Sequence, residues 1–174
     1  MNEPFSLIPG VLAQKLAVAE IVSCNQTTSR YGLVLKESDA RELADTRSEA
    51  LEKLGRVEFA GGVISKLILE FCDSPYLDQA NYAETLHELV QIFYYFKNET
   101  LDEVDDDDLI TAMKKYFDET CRGSLDLLET RNLETLARKI RYGETDTEDY
   151  GEELDDFTDE FYHMRNEFEA YEDY

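Results

Sequence analysis

Apolar positions along this chain recur mostly in steps of three and four, the spacing of one face of an α-helix. Val11, Leu12, Leu16, Ala19 and Val22 predict an amphipathic helix over 10–28, ended by Tyr31-Gly32. Leu43, Ala50, Leu51 and Leu54 predict a second, with Ser38 as N-cap, acid in its first turn and Gly55 past its end. Gly61-Gly62 opens a third, whose wide apolar face Val63, Ile64, Leu67, Ile68 and Phe71 stops before Pro75.

Asn81 with Glu84 three residues on has the form of a capping box, followed by the stripe Tyr82, Leu86, Leu89, Val90 and Phe93. The end of this helix, Ile92-Phe93-Tyr94-Tyr95-Phe96, is apolar or aromatic all round, which predicts neighbours on several sides. Asp105 to Asp108 begin a helix carrying Leu109, Ile110, Met113, Tyr116 and Phe117, where carboxylates favour the N-terminal dipole. Beyond Gly123 two shorter helices are expected, at 124–130 and 133–142. Only Leu33 to Leu35 and Val57 to Phe59 have the character of short strands. The predicted fold is therefore all-α, a single-domain bundle of six to seven helices over residues 1–143 with an acidic C-terminal segment, 144–174, helical from about 152.

Charge adds what the pattern alone does not show. Forty carboxylates against seventeen Lys and Arg give a net charge of −23 over 174 residues, which repels nucleic acid and anionic lipid and favours a basic protein partner. Residues 144–174 hold fourteen of those carboxylates against Arg165 alone, so this fifth of the chain contributes −13 and the rest −10. Within it Leu154, Phe157, Phe161, Met164, Phe168 and Tyr171 keep steps of 3, 4, 3, 4, 3, a narrow seam on one helix face. The carboxylates that flank the seam include Asp155 with Asp159 and Asp156 with Glu160, like-charge pairs one turn apart. Each such pair destabilises an isolated helix by about 0.2–0.5 kcal/mol, so a docking surface or a cationic partner has to offset them.

Ten carboxylates fall between Glu144 and Glu160. On a helix that is one charge about every 2.6 Å of axis, against about 1.7 Å for duplex DNA. Glu148, Asp149, Glu152, Glu153, Asp155, Asp156, Asp159 and Glu160 are accordingly the candidate partner-binding residues. The sharpest functional expectation is a non-catalytic nucleic-acid mimic, of the anti-restriction or anti-CRISPR type, that inhibits a basic DNA- or RNA-binding protein or defence nuclease. The alternative is an accessory or regulatory protein that meets its partner through the aromatic surface around Tyr94 to Phe96, its acidity serving solubility. An enzyme is the third reading.

Catalytic and metal motifs are weak. His87-Glu88-Leu89-Val90-Gln91 has Gln91 where a zinc-protease helix needs its second histidine, and the other histidine, His163, lies in the acidic segment. Asp146 to Phe157 match an EF-hand loop at positions one, three and six but place Tyr150 at five and Phe157 at twelve. No phosphate cradle or nucleophile elbow is present, and paired carboxylates carry no information in a chain with forty. No metal, cofactor or catalytic residue is predicted. Cys24, Cys72 and Cys121, widely spaced, read as reduced thiols, and Cys72 as a buried structural one. The start Met1-Asn2-Glu3-Pro4 has no basic region, and no apolar run spans a bilayer, so a cytoplasmic location without membrane contact is expected.

Arg56-Val57-Glu58-Phe59-Ala60-Gly61-Gly62, Phe71 through Leu86, Ile92 through Thr100 and Asp106 to Met113 together resemble a family of small uncharacterised proteins from Gram-positive, often anaerobic, bacteria. The resemblance covers about residues 5–143 and implies no activity and no site residues. The acidic segment departs from the family's usual pattern.

Overall fold

The structure, a computed structural model, describes residues 3–142, with side chains from Gly10 onward. The acidic segment and all eight of its candidate binding residues, Glu148, Asp149, Glu152, Glu153, Asp155, Asp156, Asp159 and Glu160, lie outside the described residues.

The described residues form an all-α bundle with no strand. Its elements are α1 (Glu3–Ser23), α2 (Asn25–Thr28), α3 (Glu37–Leu54), α4 (Gly62–Phe71), α5 (Tyr82–Glu99), α6 (Asp106–Lys115), α7 (Leu125–Leu127) and α8 (Glu134–Tyr142). Six of them have nine residues or more. α1, α3, α5 and α8 are neighbours in that order, and α4 and α6 pack across them. The side chains on the inward stripes form one core, in which Ile21, Leu43, Ile64, Leu67, Phe71, Leu86, Phe93 and Phe117 are at most 1% exposed. Each such side chain contributes about 1.5–3 kcal/mol through the water it no longer contacts.

Helix directions follow from side-chain pairs. Gln14 of α1 donates to Asp45 of α3 at 2.6 Å, while Lys15, Val18 and Val22 lie beside Glu37 and Arg41, so α1 and α3 run antiparallel. Thr46 meets His87 at 3.3 Å, and Leu54 lies with Tyr95 and Asn98, so α3 and α5 run parallel. Arg141, near the end of α8, donates to Glu99 at the end of α5 at 2.8 Å. The ends of α3, α5 and α8 therefore share one end of the bundle with the beginning of α1.

Four local expectations are corrected. Leu33 to Leu35 and Val57 to Phe59 form no strands, and at Leu33 to Leu35 side-chain amides take the place of a neighbouring strand. The Asn25 amide accepts from Leu35 N–H at 2.8 Å and donates to Leu35 C=O at 2.9 Å. Gln79 does the same for Val34, at 2.8 and 2.9 Å. With those backbone groups satisfied, nothing is left to recruit a ladder. The cap of α3 is Lys36, in extended conformation, and Ser38 sits inside the first turn.

The capping box at Asn81 does not form either. Asn81 Oδ1 accepts from Asp78 N–H at 3.0 Å and its Nδ2 donates to Tyr76 C=O at 3.1 Å, so the amide closes the preceding turn instead of capping α5. Lastly, the two helices expected at 124–130 and 133–142 are one run. A π-helical segment, Leu128–Leu133, joins α7 to α8. The five-residue step from Leu128 to Leu133 breaks a 3.6-residue period and reads as a gap, but a π turn absorbs the extra residue and leaves both leucines buried.

Candidate functional site

A groove of about 720 Å³ runs along the outside of the bundle between α3 and α5. Its apolar surface comes from Ala50, Leu54, Ile92 and Tyr95, and its charges are Glu49, Glu88 and Glu129 against Lys53. The apolar positions follow from helix geometry: Ala50 and Leu54, like Ile92 and Tyr95, lie three or four residues apart and share a face. Of the aromatic surface expected at Tyr94 to Phe96, only Tyr95 is available, 49% exposed; Tyr94 and Phe96 are buried. The Tyr95 ring stands edge-on to Phe96 at 5.0 Å between centroids, which fixes its orientation. The carboxylates of Glu99, then Glu134 and Glu129, raise the Tyr95 hydroxyl above its ordinary pKa.

Beneath the α5 end of the groove lies a buried charge network that sequence reasoning missed. Glu58, with its side chain 6% exposed, accepts from Tyr94 Oη at 2.6 Å, Arg56 Nε at 3.1 Å and Val63 N–H at 2.9 Å. Arg47, equally buried, donates from Nη2 to Ala60 C=O at 2.8 Å and holds Nη1 3.9 Å from Glu58 Oε1. Burial, followed by the hydrogen bond to Glu58, raises the Tyr94 hydroxyl well above the ordinary tyrosine range, so it stays a donor. Gly62 adopts φ +49°, and a Cβ there would collide with the Glu58 carboxylate and Arg47 Nη1. That is the physical meaning of Gly61-Gly62: it lets the backbone close over a buried carboxylate.

The network continues outward. Arg56 Nη2 donates to Asp106, and Lys97, 5% exposed, pairs with Asp106 and Asp102 at 3.0 Å each and donates to Val104 C=O. Burial alone would raise the Asp106 carboxyl, but the hydrogen bonds and charges of Arg56 and Lys97 outweigh it and hold the group below the usual carboxylate range. Asp105 to Asp108 are thus more than a solvated helix start, since Asp106 anchors the loop at Arg56 to α5. Neighbouring Asp108 goes the other way, raised by burial and by Asp105 and Asp107.

No other described feature assembles chemistry. No group of three or more His, Cys, Asp and Glu is placed to hold a metal among the described residues. His87 Nε2 lies against Thr46 Oγ1, at one end of the groove. The three cysteines are free and buried, and burial raises the thiols of all three, Cys121 to about 11. A raised pKa leaves little thiolate at neutral pH, which suits structural roles.

Fold and site together define an acidic helical bundle with a concave, carboxylate-rimmed groove. The chain belongs to a family of unknown function, DUF6323, whose profile matches residues 20–146. Neither the curated proteins nor the solved structures yield a match. No described helix is long and apolar enough to cross a membrane.

Proposed function

We propose that this is a non-catalytic binding protein that takes a basic protein partner, and that the α3/α5 groove is the part of the bundle that receives it. The observation that carries this reading is the coincidence of an exposed, oriented aromatic ring with a carboxylate rim. Tyr95 stands half-exposed in a groove it lines with Ala50, Leu54 and Ile92, and Glu49, Glu88 and Glu129 line the same groove. A short amphipathic segment with basic flanks matches this chemistry: an apolar edge for the floor, cations for the rim. The rigid Glu58 network below supports the groove, so little ordering cost falls on this side of the complex.

Affinity capture from a host lysate, with bound proteins identified by mass spectrometry, tests the proposal in the full chain. The native protein should retain basic proteins in a salt-sensitive way, whereas Tyr95→Ala and the charge reversal Glu49→Lys/Glu88→Lys should release them. Retention of the same proteins by both variants rejects the groove.

A second reading rests on the charge density of Glu144 to Glu160, ten carboxylates in seventeen residues. There the partner is a nucleic-acid-binding protein or nuclease, met by Glu148, Asp149, Glu152, Glu153, Asp155, Asp156, Asp159 and Glu160 as substitutes for phosphates. Neutralising these eight to Asn or Gln should then abolish capture while Tyr95→Ala leaves it intact.

A further inference from the structure

The α5 wall of the α3/α5 groove carries two amides that its apolar floor does not explain. Gln91, Tyr95 and Asn98 follow one another at steps of four and three on one face of α5, and all three are exposed. The side-chain amides of Gln91 and Asn98 make no hydrogen bond among the described residues. Seven residues of helix set them about 10.5 Å apart along its axis, with Tyr95 between them.

Elsewhere in the molecule the same side chains hold a passing backbone. The Asn25 amide, carried on α2, accepts from Leu35 N–H at 2.8 Å and donates to Leu35 C=O at 2.9 Å. Gln79 holds Val34 in the same way. A primary amide both donates and accepts, so it suits a backbone whose own groups are open.

The spacing of Gln91 and Asn98 selects among backbones. A helix closes its N–H and C=O groups on itself and offers few to a clamp. A β-strand brings alternate residues to the same edge, about 6.7 or 13.4 Å apart, which misses 10.5 Å by about 3 Å or more. A polyproline II segment leaves its backbone groups unpaired and turns every third residue to the same side, about 9.3 Å apart. That misses by only about 1 Å, which two flexible side chains absorb. An exposed aromatic ring is also the surface on which proline-rich segments pack.

We propose that the α3/α5 groove takes its partner as a proline-rich segment in the polyproline II conformation, with the Gln91 and Asn98 amides on like-facing backbone carbonyls three residues apart. The inference rests on the groove being the partner site. The prolines lie against Tyr95 on one wall and against Ala50 and Leu54 on the other. Charge then orients the segment. Glu49 and Glu88 stand toward the Thr46 end of the groove, one turn before Lys53 and Gln91 respectively. One turn of helix is about 5 Å, so a lysine or arginine one or two residues beyond the carbonyl held by Gln91 reaches those carboxylates, while Lys53 disfavours a cation toward Asn98.

A phage-displayed library of random dodecapeptides, selected on the full chain and counter-selected on Tyr95→Ala, tests the inference. Enriched sequences should carry proline and other apolar residues at a period of three, with a lysine or arginine to one side. The best of them, made as a free peptide, should bind about five- to tenfold more weakly to Gln91→Leu and to Asn98→Leu, each a lost hydrogen bond at an exposed position that leaves the fold intact. Apolar positions recurring at steps of two, or of three and four, overturn the proposal, and so does undiminished binding by both amide variants; either result leaves the groove itself standing as the partner site. Failure to enrich any sequence over the Tyr95→Ala control rejects the groove, and this occupant with it.

Discussion

The loop at 55–61 and the outer face of α1 both hold apolar side chains in water, yet only the loop has a local cause. Val57 and Phe59 are 76% and 84% exposed on either side of Glu58, whose side chain is 6% exposed and turned into the charge network. Nothing comparable acts on Val11, Leu12 and Leu16, whose helix has no inward-turned charge among its described side chains to explain them. Exposure of an apolar side chain is therefore informative only after the geometry of its neighbours has been counted. At 57 and 59 it accompanies an internal ion pair, and on α1 it has no such local cause.

The largest test of that contrast is Glu58→Ala. It leaves Arg47 buried without a counter-ion and Tyr94 without its acceptor, and should cost about 3–5 kcal/mol in urea unfolding, since an unpaired buried charge is more expensive than a lost contact. A cost below about 1 kcal/mol would mean that water reaches Arg47 and that the loop is not locked. Tyr94→Phe removes only the donor to a charged oxygen and should cost about 1.5–3 kcal/mol.

Acid titration sharpens the same comparison from the outer edge of the network. The Asp106 carboxyl is held low in the folded state, so its contribution to stability is present above its unfolded pKa and is lost as pH falls through the folded value. Asp108 has the opposite sign: its raised pKa makes ionisation unfavourable to folding, so stability is gained as pH falls through the folded value toward the unfolded one. Asp106→Asn should flatten the acid limb of the stability profile, and Asp108→Asn should raise stability at neutral pH. If the two substitutions act alike, Arg56 and Lys97 are not the groups that distinguish them.

Helical periodicity made most of the bundle legible, since the stripes on α3, α4, α5 and α6 are the ones that pack. What stayed hidden has three physical sources. Arg47 and Lys97 read as surface residues because long cations almost always are, and no local pattern announces the carboxylates that let them be buried. The α3/α5 groove was visible only as aromatic density at Tyr94 to Phe96. Which of those rings faces out is decided by neighbours far along the chain, Glu58 for Tyr94 and the core for Phe96. The π segment at 128–133 escaped for a different reason, because a five-residue apolar step belongs to no regular period.

The smallest expected effect separates the two exposed surfaces most cleanly. Val57→Ser/Phe59→Ser removes two large apolar side chains from solvent without touching Glu58, and stability should move by no more than about 0.5 kcal/mol. Leu12→Ser/Leu16→Ser removes a similar amount of exposed apolar surface, and a cost above that level marks the outer face of α1 as covered in solution. Thermal unfolding of both variants at pH 7 makes the comparison. Equal, negligible shifts would put α1 in the same class as the loop, exposed for reasons of local geometry and covered by nothing. A larger shift in the loop variant would show that Phe59 itself packs, and that the inward turn of Glu58 is the consequence rather than the cause.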